Sequence, residues 1–182
     1  ELIARVCDAL QHAHQNGIIH RDLKPDNILV VDSAPSAGAS APSGSRQFGA
    51  QPKLLDFGIA RVLEGNASQA IRHTSAGQLV GTPAYMSPEQ VRGDPNRVDT
   101  RSDIYTIGVL LYQLLAGRMP YNFGAGSMME IIRAIEEQSP SSLRTAGGTR
   151  SGRINADVDA IVAKALCKEP DRRYQTAESL AS

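Results

Sequence analysis

The sequence predicts a mainly helical domain carrying a small β-hairpin sheet. Apolar residues recur at helical spacing over much of the chain, and two short strand-like runs flank a stretch of small residues near its start. Residues 2–15 place Leu2, Ile3, Val6, Leu10 and Ala13 at helical intervals, with Asn16-Gly17 as the stop. The apolar pair Ile18-Ile19 leads into a polar run ending at Asn27, and a compact strand is expected over 28–31. Residues 32–52 are dominated by Ala, Ser, Gly and Pro, a composition that predicts a flexible surface insert. The strand pattern resumes at Lys53-Leu54-Leu55 and ends in Asp56-Phe57-Gly58. The two strands are expected to pair as a hairpin, because lengthening a flexible connection costs only about 0.6 kcal/mol per doubling. Residues 64–80 are polar with few anchors, and 81–90 are rich in turn formers. Helices are expected over 103–116, 127–138 and 157–166, with another starting near Thr176. Gly117 stops the first of these, and Pro120 and Pro140 bound the loops.

Composition narrows the function classes. At 182 residues and 41% hydrophobic content the chain suits one domain with one substantial core. Lys plus Arg equals Asp plus Glu at 19 each, so net charge supplies no pull toward nucleic acid or an anionic membrane. The two cysteines, Cys7 and Cys167, lack CxxC spacing, and both read as small buried core residues. No signal peptide is visible, and the longest apolar run, 104–116, is too short to span a bilayer. The first residues lie inside a helical pattern without an initiating methionine, so a piece of a longer protein is expected.

Three groups carry the candidate chemistry. Asp22 lies on a loop after a helix, Asn27 stands at the mouth of a strand, and Asp56 ends the next strand. In a hairpin, Asn27 and Asp56 arrive at one end of the sheet. Their hard oxygen atoms suit Mg²⁺, which can bridge nucleotide phosphates. Asp22 stands where it can accept the proton of an attacking hydroxyl, and Lys24 adds a cation near the migrating phosphoryl group.

His20-Arg21-Asp22-Leu23-Lys24-Pro25-Asp26-Asn27 resembles the catalytic loop of eukaryotic-type protein kinases, and Asp56-Phe57-Gly58 resembles their metal-binding motif. The resemblance implies the C-terminal lobe of the protein-kinase fold over 1–182, with an activation segment over 56–89. It makes Asp22 the catalytic base, Asn27 and Asp56 the metal ligands, and Leu29 a neighbour of the adenine ring. His20 and Phe57 are implied to pack beneath the site. Gly81-Thr82-Pro83-Ala84-Tyr85-Met86-Ser87-Pro88-Glu89 resembles the segment that receives the substrate, with Ser-Pro-Glu where the family usually has Ala-Pro-Glu. Glu89 is implied to pair with Arg173, and Asp103 to bond the backbone of the catalytic loop. Lys24 and Thr82 are typical of the serine/threonine members, and the wording of this segment is of bacterial type. By the same resemblance, Arg21 grips a phosphate on Thr74 or Ser75.

The implied reaction is transfer of the ATP γ-phosphoryl group to a Ser/Thr hydroxyl of a protein substrate, with Mg²⁺ or alternatively Mn²⁺ as metal and no nucleic-acid partner. A cytoplasmic setting is implied, compatible with a membrane tether outside these residues. The glycine-rich phosphate loop, the strand lysine and its partner glutamate belong to a small lobe that these residues lack. Alone, 1–182 are therefore expected to be nearly inactive. A kinase-like docking module and a small-molecule phosphotransferase are the alternatives. Retention of Asp22, Lys24, Asn27 and Asp56 argues against the first, and the substrate-receiving segment against the second.

Overall fold

The computed structural model describes residues 1–32, 50–57, 83–124, 127–146 and 154–182. Helix α1 (Leu2–Gln15) buries Val6, Cys7, Leu10 and Ala13, and Gly17 takes a left-handed φ of 73° just past its end. Strands β1 (Ile28–Asp32) and β2 (Ala50–Leu54) pair antiparallel, with Ile28 opposite Leu54 and Asp32 opposite Ala50. The ladder thus reaches into the segment expected to be an unpaired insert: Asp32, Ala50, Gln51 and Pro52 are all paired. Backbone groups make the ladder, so small side chains do not forbid it. The Leu55 N–H donates to the Asn27 carbonyl at 2.9 Å. Antiparallel alternation then puts Pro52 at a non-bonded position, where its missing N–H removes nothing from the ladder. Residues 33–49 lie outside the described residues.

The remaining helices are α2 (Pro88–Arg92), α3 (Thr100–Ala116), α4 (Met128–Glu137), α5 (Ala156–Ala165) and α6 (Ala177–Ala181). Helix α3 begins before residue 103, because the Asp99 carboxylate caps it by accepting the Arg101 N–H at 2.8 Å. Its first turn is polar, so apolar spacing alone could not reveal it. Ser127 and Glu130 form a capping box at the start of α4, and Gly117 ends α3 with a left-handed φ of 70°.

Helix α3 is the post around which the rest packs. On one side Ile104, Ile107 and Leu110 join Val6, Cys7 and Leu10 of α1, Leu23, and Leu180 of α6. On the other, Tyr105, Val109 and Tyr112 join Ile131 and Ile135 of α4, Leu143, Val162 and Leu166. Each fully buried isoleucine of this kind contributes about 1.5–3 kcal/mol. Gly108 lets α5 approach closely: a Cβ there would stand 2.9 Å from the Ala165 Cβ. Cys7 is fully buried, its thiol pushed up to about 12 by burial and then by Asp8. Cys167, expected in the core, is only half-buried because it follows the end of α5.

A buried ion pair ties α2 to α3 and the C-terminal end. Arg173 donates from Nη1 to Glu89 Oε1 at 2.7 Å and from Nη2 to Oε2 at 2.8 Å. Its other N–H groups reach the carbonyls of Cys167, Arg101 and Lys168, so every guanidinium donor is used. The Ser102 hydroxyl also donates to Glu89 Oε1, at 2.7 Å. Burial alone raises the Glu89 carboxyl, but the Arg173 hydrogen bonds and charge outweigh it and hold the group below its ordinary value of 4.5.

Two outcomes follow from this packing, both measurable by denaturant unfolding of the intact protein. Gly108→Val should destabilise by about 1–3 kcal/mol, since α5 must move or strain. Glu89→Ala should cost about 3–5 kcal/mol at neutral pH by stranding a buried guanidinium. A depressed folded-state pKa means that the pair's contribution is complete above the unfolded glutamate value and is lost as pH falls through the folded one. The gap between Glu89→Ala and the parent should therefore narrow in acid, and a gap that widens there would contradict the assignment.

Candidate active site

The loop between α1 and β1 is fixed from below by α3. Asp103, on the first turn of α3, accepts the His20 N–H at Oδ2 and the Arg21 N–H at Oδ1, each at 2.9 Å. His14 Nε2 lies 2.8 Å from Asp103 Oδ2, and a carboxylate oxygen can only accept, so Nε2 carries the proton. Arg21 has a left-handed φ of 64°, which costs a non-glycine residue about 1–3 kcal/mol unless its surroundings hold it. They do: the Gln90 side chain of α2 donates from Nε2 to the Arg21 carbonyl at 2.7 Å. Leu23 then plunges into the core, and a turn over Pro25–Asn27 delivers the chain to β1.

Asp22 and Asn27 are joined across this loop. Asn27 is buried, and its Nδ2 donates to the Asp22 carbonyl at 2.7 Å and reaches the Asp22 Oδ2 at 3.3 Å. The Lys24 ammonium stands 3.3 Å from the same Oδ2. With Nδ2 committed to Asp22, Oδ1 is the Asn27 atom suited to a cation. Asp56 comes one residue after Leu55, which bonds the Asn27 carbonyl, so Asn27 and Asp56 occupy the same end of the hairpin. Asp56 is exposed and left-handed, with a φ of 50°. The next residue, Phe57, packs on His20 with ring centroids 4.6 Å apart. His20 is fully buried, and among the described residues neither ring nitrogen has a hydrogen-bond partner. Leu29 is half exposed on β1 at the same end of the molecule.

Asp22, Lys24, Asn27, Asp56, His20 and Phe57 thus surround one end of the hairpin, while Glu89, Asp103 and Arg173 act from the scaffold behind it. Gly58, Thr74, Ser75 and Thr82 lie outside the described residues. His14 belongs to no motif in the sequence, yet it faces Asp103. Its signal was present, for Cys7, Leu10 and His14 share one side of α1. Gln90 gave no sequence signal, because its value depends on where α2 packs. The donor set is made of carboxylate, amide and carbonyl oxygens, which fits a hard divalent cation. Among the described residues no group of three or more His, Cys, Asp or Glu side chains that could hold a metal ion is present.

Comparison with known proteins agrees with this architecture. The family model described as "Protein kinase domain" matches residues 1–182. The chain is 41% identical over 180 residues to the serine/threonine-protein kinase PknB of Mycobacterium tuberculosis, covering 99% of this chain and 24% of that protein. It is 40% identical over 176 residues to the serine/threonine-protein kinase Pkn1 of Myxococcus xanthus, covering 95% of this chain and 22% of that protein. It is 38% identical over 181 residues to a probable serine/threonine-protein kinase PknB of Corynebacterium glutamicum, covering the whole chain and 24% of that protein. The chain therefore spans about a quarter of the length of these relatives. With a matching family model over its full length, and with the loop, hairpin and ion-pair geometry described above, this chain belongs to the protein kinase domain family.

Proposed function

We propose that this chain is the large lobe of a serine/threonine protein kinase that transfers the ATP γ-phosphoryl group to a Ser or Thr hydroxyl of a protein. The reading rests on one juxtaposition: Asp56 stands one residue beyond the position opposite Asn27, and its neighbour Phe57 packs on His20, two residues before Asp22. The similarity to bacterial enzymes called serine/threonine-protein kinases supports the choice of hydroxyl acceptor.

Asp22 is assigned as the group that accepts the proton of the attacking hydroxyl and points its oxygen at the phosphorus. Asn27 holds the Asp22 backbone and carboxylate, and Lys24 sets a positive charge beside them. Asn27 Oδ1 and the Asp56 carboxylate are assigned to Mg²⁺, or to Mn²⁺. When bound, the metal neutralises charge on the nucleotide phosphates. Leu29 offers an exposed apolar surface to the adenine ring, and a small lobe in cis closes the other side. Among the described residues no helix is long and apolar enough to cross a membrane. We assign the lobe to the cytoplasm, where ATP and protein substrates are available, with any membrane tether elsewhere in the longer protein.

Two measurements on the complete kinase test these roles. Asp22→Asn should lower kcat by about 10²- to 10⁴-fold while ATP binding persists, the usual range for losing a general base. Parental turnover in that variant would defeat the assignment. Arg21 makes no side-chain ion pair with the described residues, which leaves its charge for a phosphate on Thr74 or Ser75. Mass mapping of autophosphorylated protein should find phosphate on one of them, and its absence from both under active conditions would remove that role.

A further inference from the structure

Arg21 is the last residue before Asp22, and the peptides on both sides of its Cα are held. Its N–H goes to Asp103 Oδ1 at 2.9 Å, from α3, and its carbonyl accepts Gln90 Nε2 at 2.7 Å, from α2. The α3 contact holds the His20–Arg21 peptide but leaves the Arg21–Asp22 peptide free to rotate about the Arg21 Cα–C bond, and the left-handed φ of 64° at Arg21 favours relaxation. A second attachment at the carbonyl removes that freedom. The Gln90 amide has one orientation that fits its surroundings. Oε1 accepts the Ser87 backbone N–H at 2.9 Å and the Ser87 hydroxyl at 3.1 Å, so Nε2 must face the Arg21 carbonyl. Gln90 itself stands on a rigid base, since Glu89 beside it is locked to Arg173 with its side chain 2% exposed.

We propose that Gln90 is a positioning residue for phosphoryl transfer: by clamping the Arg21 carbonyl it aims the Asp22 carboxylate and couples the substrate-receiving segment to the catalytic loop. The inference rests on the kinase reading above and deepens it. The clamp works in both directions. Loosening α2, or the segment that leads into it, releases the Arg21 carbonyl and lets Asp22 drift from its line of attack. Seating α2 restores the aim. The reacting groups keep their identities throughout, and only their relative placement changes.

Two substitutions in the complete kinase separate this role from simple capping of α2. Gln90→Met keeps the length and volume but loses both sets of hydrogen bonds. Gln90→Glu keeps an acceptor for Ser87 but sets an oxygen, not a donor, against the Arg21 carbonyl. Both variants should lose about 10- to 100-fold in kcat, the scale expected for a misplacement near 1 Å, with KM for ATP within about twofold of the parent. Lowering the pH should recover part of the Gln90→Glu loss, because the protonated carboxyl can again donate to Arg21. Hydrogen exchange of loop amides around 20–23 should quicken by about tenfold or more in both variants. Parental kcat and loop exchange in Gln90→Glu, whatever Gln90→Met does, would overturn the proposal by showing that only the cap matters. The exchange readout stands without activity: a parent enzyme that transferred no phosphate would sink the kinase reading, while the loop comparison would still decide whether Gln90 clamps Arg21.

Discussion

A carboxylate that is 1% exposed organises the site. Asp103 would be a costly residue to bury without partners, since an isolated interior charge loses several kcal/mol of hydration. Its two oxygens instead take the N–H groups of His20 and Arg21 and the proton of His14. Hydrogen bonds to an ionised acceptor are about twice as strong as neutral ones. The loop that carries Asp22 is therefore tethered to the most deeply packed helix of the molecule and not to a surface element. Among the described residues neither N–H has a strand or helix partner, so the same contacts that fix the loop also satisfy two backbone donors.

That tether has value only because α3 itself cannot shift. Both sides of α3 are buried, one against α1 and α6 and the other against α4 and α5. The close approach at Gly108 leaves no slack between α3 and α5. Helix α2 reaches the same rigidity by a different route, for it is short and is held by the bidentate Glu89–Arg173 pair. Two independently anchored elements thus converge on the two peptides that flank the strained residue Arg21. Strain of this kind persists where the surroundings over-determine the backbone.

The helices were legible because apolar periodicity and stop residues coincide, as at Asn16-Gly17 and Gly117. The start of α3 was not, since Thr100, Arg101 and Ser102 are polar: Asp99 caps the Arg101 N–H locally, and Ser102 is buried where its hydroxyl meets Glu89. The early start of β2 was hidden too: Ala50, Gln51 and Pro52 have weak strand preferences, and only the register with β1 recruits them. The motif residues Asp22, Asn27 and Asp56 stand out in the sequence by their order and neighbours. Whether they share one end of the sheet depends on pairing across residues 33–49, which periodicity cannot supply. His14 and Gln90 escaped for a related reason. Each is a polar residue whose partner lies on an element far away in the chain, Asp103 for one and the Arg21 carbonyl for the other.

The hairpin has a consequence for how such a domain tolerates change. Asp32 and Ala50 face each other across the ladder, so the segment joining them begins and ends within a single strand spacing, about 5 Å. The chemistry-bearing residues cluster at the opposite end, next to Ile28 and Leu54. A ladder of paired backbone separates the two ends, so residues added at the open end leave the register of Asn27 and Asp56 untouched. That end is a natural grafting point, where a lineage or an engineer can add a reporter or a docking sequence without moving the pocket.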